Sequence, residues 1–326
     1  MKKKFKGIIH KEIPDNTEIN KWLNSDRLRV LRGASDTPFS VVTHPEYSCV
    51  EYRMKLNLFT FGKLKCHIPM TVIGPPVSVD STGYCSDLNQ LIADYKCRKG
   101  IFLILNIPKL PALAEKVAAG ETLSACIFNN VFTSFEEYLF ALRGGYRRRI
   151  KRALDKGKAL KIEQIRNADF TDELHELYLQ VLRCSKYPLE TLRPDFFKGF
   201  DGDIFVFSDG DSPVAFSALK RFDDELDFVF GGMDYAKRDE YDLYYNMLLF
   251  ILQHGIEQGV KLINFGQTAE HSKQRVGCSL EKRYMVAFSG NRIINGILRL
   301  FKNTLSYHAP KEIYRVSRCG VKSPSP

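Results

Sequence analysis

Apolar residues alternate with polar ones in some stretches of the chain and recur every three or four positions in others, a contrast that separates strands from helices. Residues 1–40 are mostly polar, with a helix predicted over 17–24. Strand-like runs follow at 49–60 and 63–72, and the turn Phe61-Gly62-Lys63 between them predicts a hairpin. Gly74-Pro75-Pro76 ends that part of the sheet, since proline has no amide to give a central ladder. A helix over 86–98, a strand over 101–107, a helix over 112–119 and a strand over 122–129 complete an α/β order.

Ser134-Phe135-Glu136-Glu137 reads as a capping box, the hydroxyl and the carboxylate each satisfying an amide left over at a helix start. A domain boundary is placed just before it. In the helix that follows, Leu139, Leu142, Tyr146, Ile150 and Leu154 form one apolar stripe. Arg147 with Lys151, and Arg148 with Arg152 and Lys156, form columns of like charge, so one face is buried and the other is strongly positive. Gly144 and Gly145 interrupt the pattern and predict a kink or a close backbone contact.

Beyond it come a strand over 160–165, helices over 171–185 and 189–200, and strands over 203–208, 213–221 and 225–233. Asp209-Gly210-Asp211 and Asp223-Asp224 are turn signals between those three strands, which predicts a meander. A nearly all-apolar helix over 242–258 is stopped by Gly259 and followed by a strand over 261–265. Thr268 is placed to cap a short helix that Gly277 ends; a strand over 283–288 and an amphipathic helix over 293–305 close the pattern. The second half thus elaborates the order of the first, which suggests two copies of one α/β unit although no residue-level repeat is visible.

Composition narrows the partners more than the fold. The 326 residues are about twice a usual domain, and 44% apolar with 26% charged is ordinary globular usage. The net charge of +10 favours phosphates, nucleic acid or an anionic membrane surface. Nine basic residues against one acid fall between Arg143 and Lys161, with Tyr146 the one aromatic residue among them, short of the interleaving of a single-strand binder. The eight cysteines contain no C-x-x-C pair and no Cys/His cluster at zinc spacing, so no metal is expected. Their scatter through core-like segments fits reduced thiols of a cytoplasmic protein. Behind the basic start only Gly7, Ile8 and Ile9 are apolar, too short for a signal sequence, and no run reaches the roughly 18 residues of a transmembrane segment.

With the element order, the sequence from Tyr146 to Leu154 and the run Phe265-Gly266-Gln267-Thr268-Ala269-Glu270-His271-Ser272-Lys273 followed by Gly277 resemble GNAT-fold acyltransferases, nearest the Fem-like branch that includes proteins of peptidoglycan and exopolysaccharide biosynthesis. The resemblance is carried by residues 133–310. It implies tandem GNAT-like domains in a mixed twisted sheet flanked by helices: a degenerate copy over 1–132, an acyltransferase domain over 133–312 and a tail over 313–326. It also implies acyl transfer from acyl-CoA, or aminoacyl transfer from tRNA, to an amine of a small-molecule, cell-envelope or saccharide acceptor. A protein that keeps this fold for binding alone is the third reading. The chemistry asks for a deprotonated amine, a positioned carbonyl and donors for a developing oxyanion.

The family seats a CoA pyrophosphate in a glycine-rich turn before the buried helix, but the corresponding stretch here, 235–242, has no glycine. Lys237 and Arg238 could supply charge there, opposed by Asp239, Glu240 and Asp242. Asp227 on its strand, and Asp234 behind Gly231-Gly232, each read as an acid–base group or as a solvated charge. Gly266 and Gln267 leave a strand where substrate can approach the backbone, or form a plain turn. His271 reads as a base or a solvated side chain, and Lys273 with Arg275 as an anion contact. Arg148 and Arg152 are the basic-helix positions that would meet the phosphates of a tRNA, or an anionic lipid surface.

Overall fold

The computed structural model describes residues 4–57, 67–110, 117–185, 190–308 and 314–317. The chain divides into two compact units, Met1–Ser124 with Lys282–Ala309 and Ala125–Glu281 with Pro310–Pro326. In chain order the elements are β1 (Ile8–His10), α1 (Ser25–Ala34), β2 (Phe39–His44), β3 (Tyr47–Asn57), β4 (His67–Ile73), β5 (Tyr84–Ser86), α2 (Leu88–Tyr95), β6 (Ile101–Ile107) and β7 (Ala118–Asn129). Then follow α3 (Phe135–Ala141), α4 (Gly144–Gly157), β8 (Lys161–Ile165), α5 (Asp172–Cys184), α6 (Pro194–Lys198), β9 (Asp203–Asp209), β10 (Ser212–Phe222) and β11 (Glu225–Met233). The last are α7 (Leu243–Glu257), β12 (Leu262–Asn264), α8 (Glu270–Arg275), β13 (Ser279–Ser289), α9 (Arg292–Leu300) and α10 (Lys302–Leu305).

The repeat that no residue pattern revealed is plain in the strand pairing. In the first unit β1, β2, β3 and β4 form an antiparallel meander, β4 pairs β6 in parallel, and β6 pairs β13 antiparallel. In the second, β8, β9, β10 and β11 form the meander, β11 pairs β12 in parallel, and β12 pairs β7 antiparallel. The parallel step requires a crossover helix in each, α2 in one and α7 in the other. The division between units falls inside β7 and β13, so Lys282–Ala309 belongs with the first.

Side chains that capture backbone amides explain several differences from the expected elements. No helix occupies 17–24: Asn20 Oδ1 accepts the amides of Trp22 and Leu23, and Asn24 accepts that of Arg27 and caps α1 instead. Such local bonds compete with helix formation. Of the helix expected over 189–200, among the described residues only Pro194–Lys198 is helical, because the residue before a proline, Arg193, is held extended. Ala118 and Ala119 open β7 rather than close a helix. The turn expected at 61–63 and most of the helix expected over 112–119 lie outside the described residues.

The capping expected at Ser134 is present. Its hydroxyl accepts the Glu137 amide at 3.1 Å, and the Glu137 carboxylate accepts the Thr133 amide at 2.8 Å, a bond that holds its carboxyl below the usual range. The helix behind it is broken one residue before the glycines. Leu142 bridges Ser317, and the Arg143 amide donates to Val316 O at 2.9 Å, so a piece of the C-terminal tail pairs with the chain at the break. Gly144 and Gly145 then start α4.

The core of the second unit forms around α7. Leu248, Leu249, Ile251, Leu252 and Ile256 are buried with Leu226 and Ile263 of the sheet and with Ile150 and Ala153 of α4. Gly255 lets α7 approach the sheet, since a Cβ there would stand 2.5 Å from Ile263. Gly157 does the same for α4: a Cβ would meet the side chain of Asn246, whose amide instead donates to Ala153 O and Tyr241 O. Asn246 therefore ties the end of the basic helix to the start of α7.

Candidate active site

Parallel pairing of β11 with β12 runs for only three residues, from Glu225 opposite Leu262 to Asp227 opposite Asn264. β11 continues to Met233, whereas the other chain stays with β7: the Phe265 amide donates to Cys126 O, and the Cys126 amide donates to Gly266 O. The two strands part at Asp227: β10 stays paired with β11 as far as Met233, but on the other side of β11 no strand among the described residues continues the ladder past Asp227. The fork is held by backbone geometry. Asn264 Oδ1 accepts the Gly266 amide at 2.8 Å, and Gly266 has φ +69°, a left-handed conformation in which a side chain is strained.

Asp227 lies at the apex of the fork, between Lys220 of β10 and Asn264 of β12, and is only 3% exposed. Its carboxylate is therefore not the solvated charge that strand alternation allows. Beyond Gly266, Thr268 and Ala269 are also left-handed, and α8 starts at Glu270 without the Thr268 cap expected for it. This tight exit turns Glu270 and Lys273 inward, to 7% and 3% exposure. Lys273 Nζ donates to the Gln267 carbonyl at 2.7 Å and thereby fixes the exit loop. Lys273 is a buried strut, not a surface contact for anions.

Tyr244, in the first turn of α7, joins this group and was not marked by the sequence. Burial pushes its phenol well above the ordinary 10.0, and Cys126, Cys278, Tyr235 and Glu270 act in the same direction, so the hydroxyl stays protonated. Burial raises the Tyr138 phenol and the Cys278 thiol as well. Such groups keep their protons in the folded chain at a pH where the unfolded chain has lost them, so the unfolded state binds fewer protons and stability falls as pH rises. The melting temperature is expected to drop steadily above pH 10.0, the ordinary phenol value. A thermal melt that stays constant to about pH 11 would contradict this placement of the phenols.

Residues 235–242 are closed on themselves. Lys237 pairs with Asp209 and Glu240, and Arg238 pairs with Asp239. The Glu240 bond leads in raising Lys237, and the Tyr241 hydroxyl leads in lowering Asp209. Asp234 turns the chain by accepting the Ala236 amide. Lys156 of α4 reaches across to Asp242 at 3.5 Å and to Asp239 O at 2.7 Å. The cations of this loop are thus matched by its own carboxylates, and Asp242, left-handed, gives α7 no side-chain cap.

Arg148 and Arg152 are exposed on α4. Further aromatic partners arrive through tertiary structure: Arg149 lies over Tyr245 of α7 at 5.6 Å, and Arg275 of α8 over Tyr314 of the tail at 5.5 Å. Burial pushes the Tyr245 phenol up to about 12, against the pull of Arg149 and Arg275. His271 Nδ1 is 2.8 Å from the Tyr314 hydroxyl. The fold therefore gathers Asp227, Gly266, Gln267 and Lys273 around the fork, sets Arg148, Arg152 and His271 on a basic and aromatic surface, and leaves Lys237 and Arg238 in the neutralised loop. Among the described residues no group of three or more His, Cys, Asp or Glu side chains could hold a metal ion, and no helix is long and apolar enough to cross a membrane.

Residues 141–274 match the family model described as an acetyltransferase (GNAT) domain. L-PGS from Bacillus licheniformis aligns with 90% of this chain and 100% of its own, at 13% identity and a TM-score of 0.52. The C-terminal domain of a putative lysylphosphatidylglycerol synthetase from Agrobacterium fabrum aligns over 86% and 90%, at 14% identity and a TM-score of 0.48. FemX aligns over 82% of this chain and 92% of its own, at 10% identity and a TM-score of 0.48. No curated protein matches the chain in sequence. The fold is that of GNAT-like units in tandem, a mixed α/β sheet flanked by helices.

Proposed function

We propose, from the premise that residues 141–274 of this chain are a GNAT acyltransferase domain, that the protein moves an aminoacyl group from tRNA to the amine of a small-molecule, cell-envelope or saccharide acceptor in the cytoplasm. The observation that carries the reading is the fork at Asp227, where β11 presents backbone that β12 no longer pairs. An acyl chain laid along that edge takes the place of the missing strand, as an added strand does in other sheet complexes. Asp227 at the apex draws the proton from the attacking amine, directly or through one water. The protonated hydroxyl of Tyr244 donates to the oxyanion that develops on the acyl carbon. Gln267 and His271 flank the exit loop and orient the acceptor, and Lys273 keeps that loop in register.

Two observations favour tRNA as the carrier. The loop that would receive a CoA pyrophosphate is closed by its own carboxylates. The exposed arginines of α4 and the arginine–tyrosine pairs beside them form a surface suited to phosphates and to unstacked bases. The family match supports acyl-CoA as the second reading, with Gly266, Lys237 and Arg238 nearest the donor.

Binding of aminoacyl-tRNA is expected to weaken steeply with salt, and Arg148→Ala with Arg152→Ala to lower affinity at least tenfold and to flatten the salt slope by about 2. Filter binding at several salt concentrations measures both. Unchanged tRNA affinity in that variant, together with a raised melting temperature in saturating acyl-CoA, would transfer the proposal to CoA. No turnover with either donor class would leave a binding protein.

A further inference from the structure

Four of the large apolar side chains that stand exposed belong to one short stretch of the first unit: Ile293 at 75%, Ile297 at 46%, Leu300 at 82% and Phe301 at 41%. They lie on α9 and on the residue that caps it, at spacings of four, three and one, which put them on one face of the helix. Leu298, 2% exposed, holds the helix to its unit by a different face. The helix is fixed rather than frayed at its start, because Asn291 Oδ1 accepts the amides of Ile293 and Ile294. An apolar patch of this kind on an ordered helix marks a contact surface, not the scattered exposure that any protein shows.

The charges around it identify that partner. Arg292, Arg299 and Lys302 are exposed on the same helix pair, and no acidic residue occurs anywhere between Glu281 and Glu312. Gly290 brings the start of α9 against the end of α2, where a Cβ would stand 2.1 Å from Lys96 O. Lys96 and exposed Lys99 therefore border the same patch. An apolar stripe flanked by cations and free of carboxylates matches the boundary between acyl chains and anionic headgroups, whereas the surface of another copy of this chain would bring like charges together.

We propose that α9 is a membrane-docking helix: Ile293, Ile297, Leu300 and Phe301 enter the acyl boundary of an anionic bilayer, and Arg292, Arg299, Lys96 and Lys99 meet its headgroups. The proposal is independent of which donor the transfer site uses. It brings the enzyme to a bilayer surface.

Sedimentation of the full-length protein with vesicles of phosphatidylglycerol, or of phosphatidylcholine alone, tests it. The protein is expected to bind the anionic vesicles at least tenfold more tightly. Ile297→Glu with Leu300→Glu should lower that binding more than tenfold with no change in melting temperature, since both side chains are exposed. Arg292→Glu with Arg299→Glu should abolish the preference for anionic lipid. Three results would overturn the proposal: no binding to either vesicle; binding that survives Ile297→Glu with Leu300→Glu but is lost in Arg148→Ala with Arg152→Ala; or a wild-type dimer in solution that the α9 variant converts to monomer while vesicle binding stays the same.

Discussion

Asp227→Asn is expected to lower the rate of acyl transfer by about 10²- to 10⁴-fold while donor affinity and melting temperature stay close to those of the native chain. The substitution keeps the shape of the side chain at a position that is 3% exposed in the middle of a sheet, and removes only the basic oxygen. A carboxylate held there for packing alone would show the reverse pattern, with a shifted melting temperature and an unchanged rate. Single-turnover rates at saturating donor separate the two, because they report the chemical step after binding is complete. A rate within threefold of native would remove Asp227 from the chemistry and leave positioning on the β11 edge as the source of catalysis.

The architecture was legible because its strands and buried helix obey local rules. The strand over 225–233 carries its turn signals at the front, and the apolar run of α7 ends at Gly259, which has φ +67°. What local rules cannot see is a bond made far along the chain. Propensity predicts a kink or a close backbone contact at Gly144 and Gly145 of one helix, yet the helix breaks at Leu142 and Arg143, where residues 316–317 pair. No pattern in residues 134–156 contains that information.

The site was legible to a different degree. Gly266, Gln267 and Asp227 could be picked out because they follow or occupy strands, but only the three-residue pairing of β11 with β12 shows that the strands part between them. Tyr244 had no signal in an apolar helix, where a tyrosine reads as one more core aromatic. A tyrosine in the first turn of a buried crossover helix, opposite a strand with a buried acid, is the combination to look for. Lys273 illustrates the converse: lysine on a short polar helix suggests an anion contact, while two left-handed residues before α8 precede a turn in which it is buried.

That inward lysine sets the second large effect. Lys273→Met is expected to destabilise the folded chain by about 3–5 kcal/mol, the usual cost of breaking a buried charged contact from one side. Methionine fills most of the volume, so the loss is electrostatic: the Gln267 carbonyl loses its donor, and the Glu270 carboxylate, 7% exposed and one turn away, loses the positive charge beside it. If the cost arises in this way, adding Glu270→Gln should return part of it, since the neutral amide no longer needs a buried cation. Urea denaturation of the two single variants and the double variant closes the cycle, with an expected coupling of about 1–3 kcal/mol. Additive losses would mean that Lys273 and Glu270 act separately, and a loss below about 1 kcal/mol for Lys273→Met would mean that the exit loop holds its left-handed turns without the lysine.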